Sequence, residues 1–379
     1  MPSSKVAVVR CESYDEDAVY AAVKRGISLI GGIDAFVRKG ERILLKPNVL
    51  TAASPADAVT THPAVFGAVA QLLAECGAET SYGDSPGFGK PSDALARCGL
   101  SAVAERFGLK QGDFERSRSV DFPDGAVARR FDVVNACLDS DGIISLPKMK
   151  THALTRVTGA VKNQFGCVCG LHKAAFHAKV PDPVQFSRML VDLNRLIAPR
   201  LFVMDGIMAM EGNGPRSGTP VPMNCLVISA DPVAVDATFC RMVDLDPEFV
   251  PYLVEGQRVG LGNWRSEDIE YLGDSPDLFR KPDFSVVRKP VAGVPVRSRL
   301  PSFIRNAVLA RPVIDHSVCV RCGVCVESCP VEGKALGFRD GSRKQPPVYT
   351  YSKCIRCYCC QEMCPYKAIS VKGLFRSRR

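Results

Sequence analysis

Two runs of cysteines near the end of the chain constrain its structure more than any other feature. Each run contains the spacing C-x2-C-x2-C-x3-C-P, and the second run has one additional cysteine. In such paired runs, three cysteines of each run bind one iron-sulfur cluster and the fourth crosses to the other cluster. The spacing therefore predicts two [4Fe-4S] clusters, one held by Cys319, Cys322, Cys325 and Cys364, the other by Cys354, Cys357, Cys360 and Cys329.

Zinc is the alternative metal for this segment, because C-x2-C pairs also form structural zinc sites. Two complete runs that each end in Cys-Pro favour iron-sulfur clusters. The additional thiol is Cys359, and a ligand role for it in place of Cys360 would break both spacings. We therefore expect Cys359 to be a packed cysteine. The segment resembles a bacterial-type two-cluster ferredoxin, which implies a small α+β domain over residues 312–372.

The remaining composition indicates a conventional protein of the reducing cytosol. The chain has 379 residues and 17 cysteines, of which eight are scattered outside the cluster segment. Scattered cysteines behind an amino terminus without a secretory leader favour free thiols over a disulfide framework. The sequence also lacks the roughly 18 consecutive apolar residues of a membrane-spanning helix. A cytoplasmic protein without a transmembrane segment is expected.

Charge is distributed unevenly along the chain. Residues 281–379 contain 19 Lys and Arg against 6 Asp and Glu, a net charge of +13, which leaves −4 for residues 1–280. A basic electron-transfer module suggests docking to an acidic redox partner such as a ferredoxin or flavodoxin. The alternative is a merely solvated basic tail at residues 373–379. Nucleic acid is not expected, because the basic residues are not interleaved with stacking aromatic residues.

Alternation of strand and helix patterns predicts an α/β body over residues 1–281, followed by a linker over residues 282–311. Repeated β-α units favour a mostly parallel sheet with helices on both faces. The predicted strands of the first units are Lys5–Arg10, Arg42–Lys46 and Glu79–Tyr82, and the predicted helices are Asp15–Gly31 and Ala64–Cys76.

Polar residues gather where these strands end, and open α/β sheets bind ligands at that edge. Lys46, Asn48 and Asp84 follow the early strands. A second group starts at Lys148 and includes a predicted helix over Thr155–Gln164, whose Lys162 and Asn163 need an anion, a carboxylate or a ligand if they are buried. Asp236, on an apolar helix surface, predicts a buried ion pair with Lys148 or Lys162.

Several long motifs resemble the family known as domain of unknown function 362. They are Lys46-Pro-Asn, Leu146-Pro-Lys-Met-Lys-Thr-His152, Thr158-Gly-Ala-Val-Lys-Asn-Gln-Phe-Gly166, Asp205-Gly-Ile-Met-Ala-Met-Glu-Gly-Asn-Gly-Pro215 and Asp231-Pro-Val-Ala-Val-Asp-Ala237. The resemblance covers roughly residues 5–260. The family's name records no reaction, so the resemblance implies a body of this type fused to a two-cluster domain.

These features favour an iron-sulfur oxidoreductase whose clusters pass electrons to an anionic small molecule in a Lys-rich cleft. The candidate binding residues are Lys46, Asn48, Asp84, Lys148, Lys150, Asn163 and Asn213, and the candidate catalytic residues are His152, Glu211 and Lys162. An organic cofactor stays open, although no G-x-G-x-x-G motif follows a predicted strand. The alternative function is a non-catalytic electron carrier or cluster-assembly protein whose body docks a partner protein.

Two smaller features allow further expectations. Cys167 and Cys169, with His172 or His177 nearby, could bind a metal, but C-x-C is a weak signal and packing is the favoured interpretation. Asp340-Gly341 between apolar flanks predicts a hairpin turn in the segment that separates the two cysteine runs.

Overall fold

A large sheet forms the centre of the body, and all strands of its main path except β11 run in the same direction. The computed structural model describes residues 3–291 and 309–373. From edge to edge the strands are β12 (Ile269–Gly273), β1 (Ser4–Arg10), β11 (Thr219–Ser229), β10 (Leu201–Glu211), β7 (Gly142–Leu146), β2 (Arg42–Pro47), β3 (Glu79–Tyr82) and β4 (Lys110–Gln111). Two further strands, β8 (Lys148–His152) and β9 (Arg156–Thr158), extend the sheet beside β10. Strands β5 (Ser117–Asp121) and β6 (Arg130–Val134) form a separate antiparallel pair.

Helices pack on both faces of this sheet, and each face has its own apolar core. One face carries α1 (Glu16–Leu29), α2 (Pro63–Cys76), α3 (Pro91–Arg97) and α4 (Leu100–Arg106). The other carries α5 (Asn135–Leu138), α6 (Ala160–Asn163), α7 (Gly170–Lys179), α8 (Pro183–Ile197), α9 (Pro232–Met242) and α10 (Pro251–Arg258). The predicted α/β class with a mostly parallel sheet is confirmed, and the reversed β11 makes the sheet mixed.

Local sequence signals set the ends of several elements. Helix α2 begins at Pro63, and the side chain of His62 accepts a hydrogen bond from the Ala64 backbone N–H. The helix ends at Gly77, which has a φ of 74°, a conformation that glycine adopts at little cost. The Asp231 side chain caps α9 by accepting hydrogen bonds from two backbone N–H groups. The early strands and helices lie where the sequence predicts them.

The predicted helix over Thr155–Gln164 is wrong. Its first half forms the hairpin of β8 and β9, and only residues 160–163 are α-helical. The reason is tertiary: both carboxylate oxygens of Asp236 accept hydrogen bonds from the backbone N–H groups at the start of this helix, Ala160 and Val161. Asp236 therefore caps a helix from a distant part of the chain, which corrects the prediction that it pairs with a lysine.

The cluster segment forms short, mostly antiparallel elements around its cysteines. They are β13 (Arg311–Ile314), α11 (Val324–Glu327), β14 (Leu336–Gly337), β15 (Val348–Tyr349), α12 (Cys359–Met363) and β16 (Ile369–Lys372). Strands β14 and β15 pair as a hairpin, but Asp340-Gly341 lies in a short 3-10 helix within the long loop between them and not at a tight turn.

The proposed domain boundaries fall partly outside the described residues. Of the linker predicted at 282–311, residues 292–308 are not described, and of the basic tail only residue 373 is. Phe284, near the start of that linker, is fully buried in the body core. Within the described residues, the helices are too short or too polar for any of them to cross a membrane. The cytoplasmic location stays a prediction.

Candidate functional site

Two cysteine-lined cavities lie in the C-terminal domain. The first is lined by Cys319, Cys322, Cys325 and Cys364. The second is lined by Cys329, Cys354, Cys357 and Cys360. Each set combines three cysteines of one run with the fourth of the other, the arrangement of a two-cluster domain. The donor sets therefore fit two [4Fe-4S] clusters, and Cys359 is in neither lining.

Hydrogen-bond donors approach the cysteine sulfurs of both cavities. The Tyr349 hydroxyl donates to Cys360 Sγ at 3.3 Å, and the Ala335 backbone N–H donates to Cys329 Sγ at 3.4 Å. In the first cavity the Ala368 backbone N–H lies 3.3 Å from Cys364 Sγ. Donors of this kind stabilise thiolate charge and tune the reduction potential of a bound cluster.

A buried polar network begins where strands β2 and β3 end. Lys46 Nζ lies 2.8 Å from Asp84 Oδ1, and both side chains are almost fully buried. Asn163 Oδ1 accepts hydrogen bonds from Lys46 and from the amide of Asn48. Its own amide donates to Ser145 Oγ at 2.9 Å. The structure thus brings together four of the residues predicted to bind a ligand: Lys46, Asn48, Asp84 and Asn163.

Gly166 lets the chain pass directly over the Lys46–Asp84 pair. A Cβ atom at this position would overlap Asp84 Oδ1 and would lie 2.7 Å from Lys46 Nζ. We expect Gly166→Ala to separate the pair and lower the free energy of unfolding by roughly 3 kcal/mol, the cost of breaking a buried ion pair. Gly170→Ala is the matched control, because a Cβ there meets no atom within 4 Å. Chemical denaturation of both variants measures the difference, and equal stabilities would contradict the expected clash.

A second buried ion pair joins the neighbouring strands β8 and β10. Lys148 Nζ is 2.7 Å from Asp205 Oδ2 and also donates to the Tyr14 hydroxyl at 2.8 Å. The same hydroxyl donates to Asp205 Oδ1, and the His62 backbone N–H donates to Asp205 Oδ2. Burial and the adjacent Asp205 raise the pKa of Tyr14 well above its usual value. Tyr14 therefore stays protonated and holds the pair together.

The other lysines at this edge bond to uncharged oxygens. Lys150 Nζ donates to Asn48 Oδ1 at 2.8 Å and to the Val59 carbonyl at 2.7 Å. Lys173 Nζ donates to the carbonyl of Ser85. Burial lowers the pKa of Lys150 well below its usual value, with a further lowering by the neighbouring lysines, and burial lowers the pKa of Lys173 to about 8.

Helix α12 of the cluster domain packs against the same edge of the body. Gln361 Nε2 donates to the carbonyl oxygens of Asn213 and Gly214 at 2.8 and 3.1 Å. The Asn213 amide donates in return to the Ile369 carbonyl, and Arg216 donates to the Met363 carbonyl. Gln361 and Met363 are buried by these contacts. A helix that carries one cluster ligand and directly precedes another therefore forms the interface with the body.

Glu362 on this helix enters a group of titratable side chains. Its Oε1 atom lies 3.0 Å from His152 Nε2. His152 Nδ1 accepts hydrogen bonds from two backbone N–H groups, of Leu154 and Thr155, so the proton of the neutral ring is on Nε2 and faces Glu362. Burial, reinforced by Lys162, lowers the pKa of His152 to about 4. Burial raises the pKa of Glu362, but His152 and Lys162 outweigh it and lower that pKa to about 2.

Lys162 and His177 complete this group of titratable side chains. Lys162 is close enough to Glu362 for the carboxylate to raise its pKa, although burial lowers that pKa more strongly. His177 stacks on Phe186 with ring centroids 4.5 Å apart, and burial lowers its pKa to about 4. At neutral pH this cluster therefore has neutral histidine rings beside an ionised Glu362.

The remaining candidate residues lie at the margin of this edge. Glu211 Oε2 accepts a hydrogen bond from the Ser285 backbone N–H at 2.7 Å, and Asn213 contacts the cluster domain. Their roles stay predictions.

The sequence interpretation missed Tyr14, Asp205 and Glu362, and it considered His177 only as a metal ligand near Cys167 and Cys169. Asp205 follows the apolar run of residues 201–204 and could have been found on that ground. Glu362 lies between cluster ligands, where no local signal marks contact with a distant helix.

Cys167 and Cys169 do not share a site. Cys167 Sγ contacts Gln164 and lies near Cys137, whereas Cys169 Sγ donates to the Glu115 carbonyl. The side chain of His172 lies outside the described residues. Among the side chains that are described, no three His, Cys, Asp or Glu groups are arranged to hold a single metal ion.

Comparison with known proteins identifies both parts of the chain. Residues 43–241 match the family described as domain of unknown function 362, and residues 311–365 match the 4Fe-4S dicluster domain. The chain is 36% identical over 263 residues to a thylakoid-associated protein of Synechocystis sp., which covers 69% of this chain and 81% of the relative.

Two solved structures resemble the fold distantly. The lactate racemase apoprotein from Thermoanaerobacterium thermosaccharolyticum has 12% identity and a TM-score of 0.44, covering 64% of this chain and 57% of that one. A Thermotoga maritima protein has 13% identity and a TM-score of 0.38, with coverages of 62% and 60%. The chain spans less than two thirds of either protein. On the family match over more than half of its length, the chain belongs to the domain of unknown function 362 family and is an iron-sulfur dicluster protein.

Proposed function

We propose that this protein is an iron-sulfur oxidoreductase that passes electrons to an anionic small molecule or cofactor in the Lys-rich cleft of the body. The observation that carries the proposal is the position of helix α12. Cys360 on this helix lines the second cavity, and Glu362, two residues further on, lies 3.0 Å from His152. When bound, the two [4Fe-4S] clusters supply one electron each.

The charge of the cleft supports an anionic ligand. Among the residues that the structure describes, the acidic side chains paired with or close to the cleft lysines are Asp84, Asp205 and Glu362, whereas the lysines are Lys46, Lys148, Lys150, Lys162 and Lys173. Burial of a lysine without an acidic partner is costly, and an anion reduces that cost. A carboxylate or phosphate ligand would therefore lower the free-energy cost of burying these lysines, and the lysines would in turn favour binding of the ligand.

Proton supply is the second requirement of a two-electron reduction. Lys162 and His152 each carry a proton at a nitrogen beside Glu362. In the proposed reaction the Lys162 ammonium supplies a proton, the neutral His152 ring donates a hydrogen bond from Nε2, and the anionic group of the ligand is oriented by Lys46 and Lys150. Asn48 and Asn163 keep the two lysines in place through their amide oxygens.

A second candidate function is a non-catalytic electron carrier or cluster-assembly protein. It is favoured by the internal pairing of two lysines, since Lys46 and Lys148 already have buried acidic partners. In that case the cleft is a structural interface, and its polar residues hold the cluster domain on the body.

Anaerobic ligand screening separates the two functions. We expect at least one small carboxylate or phosphate compound to raise the Tm of the protein and to oxidise its reduced clusters. Lys162→Met should reduce both the ligand-induced rise in Tm and the oxidation of the clusters about tenfold or more, because it removes a charge and a proton carrier from the cleft. The iron content should be unchanged. Lys24→Met is the control, since Lys24 is an exposed surface residue. If no compound changes the Tm or the cluster absorbance, the carrier function is favoured.

A further inference from the structure

We propose that electrons enter this protein at the first cavity and that the surface around this cavity docks a small acidic one-electron carrier protein. This inference rests on the proposed function, in which electrons end in the cleft of the body, and adds the entry point and the order of transfer. Each transfer oxidises one carrier by one electron and reduces the protein by one electron, so two encounters supply a two-electron reduction.

Burial differs between the two cysteine sets. Cys319 and Cys322, which line the first cavity, are partly exposed, whereas all four cysteines of the second cavity are buried. The second set includes Cys360, whose helix packs against the body. Solvent therefore reaches the cysteines of the first set more readily, and Cys360 of the second set lies on the helix that packs against the body.

Exposed apolar side chains surround the mouth of the first cavity. Val318, Val320 and Tyr366 are 44%, 47% and 50% exposed, and the last two line the cavity itself. Apolar residues gathered at one place on the surface are typical of a contact site. A small apolar centre of this kind suits a transient electron-transfer encounter, which buries little area.

A basic rim lies next to this apolar centre. Arg321, Arg343 and Lys344 are exposed, and two hydrogen bonds fix their arrangement. Arg321 Nη1 donates to the Lys344 carbonyl at 2.9 Å, and Arg343 Nη1 donates to the carbonyl of the cavity residue Cys322 at 3.0 Å. We call Val318, Val320, Arg321, Arg343, Lys344 and Tyr366 the entry surface.

Charge identifies the occupant as an acidic protein. Residues 309–373 contain ten Lys and Arg against five Asp and Glu. Of the two acids nearest in sequence to the entry surface, Asp315 bonds to Ser317 and Asp340 lies in the hairpin segment. A second copy of this chain would bring two basic rims together and be repelled. An acidic carrier would be attracted, and salt would weaken that attraction.

Anaerobic stopped-flow reduction tests the entry surface. The probe is a reduced acidic bacterial flavodoxin, and the measured quantity is the second-order rate constant for reduction of the full protein without any cleft ligand. We expect this constant to fall about tenfold as ionic strength rises from about 0.05 to 0.5 M. The triple variant Arg321→Glu, Arg343→Glu, Lys344→Glu should be reduced at least about tenfold more slowly, because the charge pattern is reversed.

The controls separate docking from loss of clusters and from failure of the proposed function. Lys24→Glu with Arg106→Glu and Arg130→Glu changes as much charge on the body and should alter the constant less than about twofold. Dithionite should reduce both triple variants equally fast, with equal iron content. A wild-type rate constant that does not depend on salt, or an entry-surface variant reduced at the wild-type rate, would overturn the proposal. Because no cleft ligand is present, failure of the reductase function leaves these outcomes unchanged.

Discussion

Replacing Cys360 with alanine should remove one of the two clusters, whereas replacing Cys359 with alanine should leave both in place. The two residues are adjacent in sequence and both are buried, but only Cys360 lines the second cavity. Iron content should fall from about eight to about four atoms per chain in Cys360→Ala, since each cluster contains four irons. Iron and sulfide analysis after anaerobic purification measures this change.

The same pair of variants tests how much the clusters stabilise the C-terminal domain. Its elements are short, and metal binding supplies much of the folding free energy of small metal domains. We therefore expect Cys360→Ala to make residues 311–373 sensitive to proteases, while Cys359→Ala resists them like the wild type. Equal iron loss in both variants would contradict the assignment of Cys359 as a packed cysteine and would point to it as a second essential thiol.

Asp205→Asn should destabilise the body by roughly 3–5 kcal/mol, because it leaves Lys148 charged and buried without its carboxylate. The side chains of Lys148 and Asp205 are 1% and 0% exposed, and Tyr14 and His62 also bond to Asp205. Urea denaturation followed by circular dichroism under anaerobic conditions measures the loss.

A surface pair provides the matched control for this variant. Glu16 pairs with Arg106 at 2.9 Å, but their side chains are 61% and 52% exposed, so Glu16→Gln should cost less than about 1 kcal/mol. Adding Lys148→Met to Asp205→Asn should restore part of the lost stability, because the unpaired charge is then gone. A similar loss in both single variants, or no recovery in the double variant, would show that charge burial is not the cause.

Features encoded by neighbouring residues could be predicted from the sequence. The cysteine spacing predicted which four cysteines line each cavity, and Pro63 and Gly77 mark the ends of α2 because capping depends on adjacent residues. The alternating strands and helices likewise gave the fold class.

Features encoded by distant residues could not be predicted in this way. Asp236 and the helix it caps are 76 residues apart, and the two atoms of the His152–Glu362 contact belong to different domains. The second half of the reversed β11, residues 225–229, is buried and apolar like the parallel strands of the sheet, so its composition does not indicate the direction of the strand. Long-range partners of polar residues were therefore the main source of error.

The contact between Gln361-Glu362 and the body has a consequence for protein engineering. Gln361 and Glu362 lie between the last two cysteines of the second run. In this chain they are held by Asn213, Gly214 and His152. The C-terminal module is therefore not interchangeable: a ferredoxin grafted in its place would carry electrons but would not fit the cleft unless these two residues were transplanted with it.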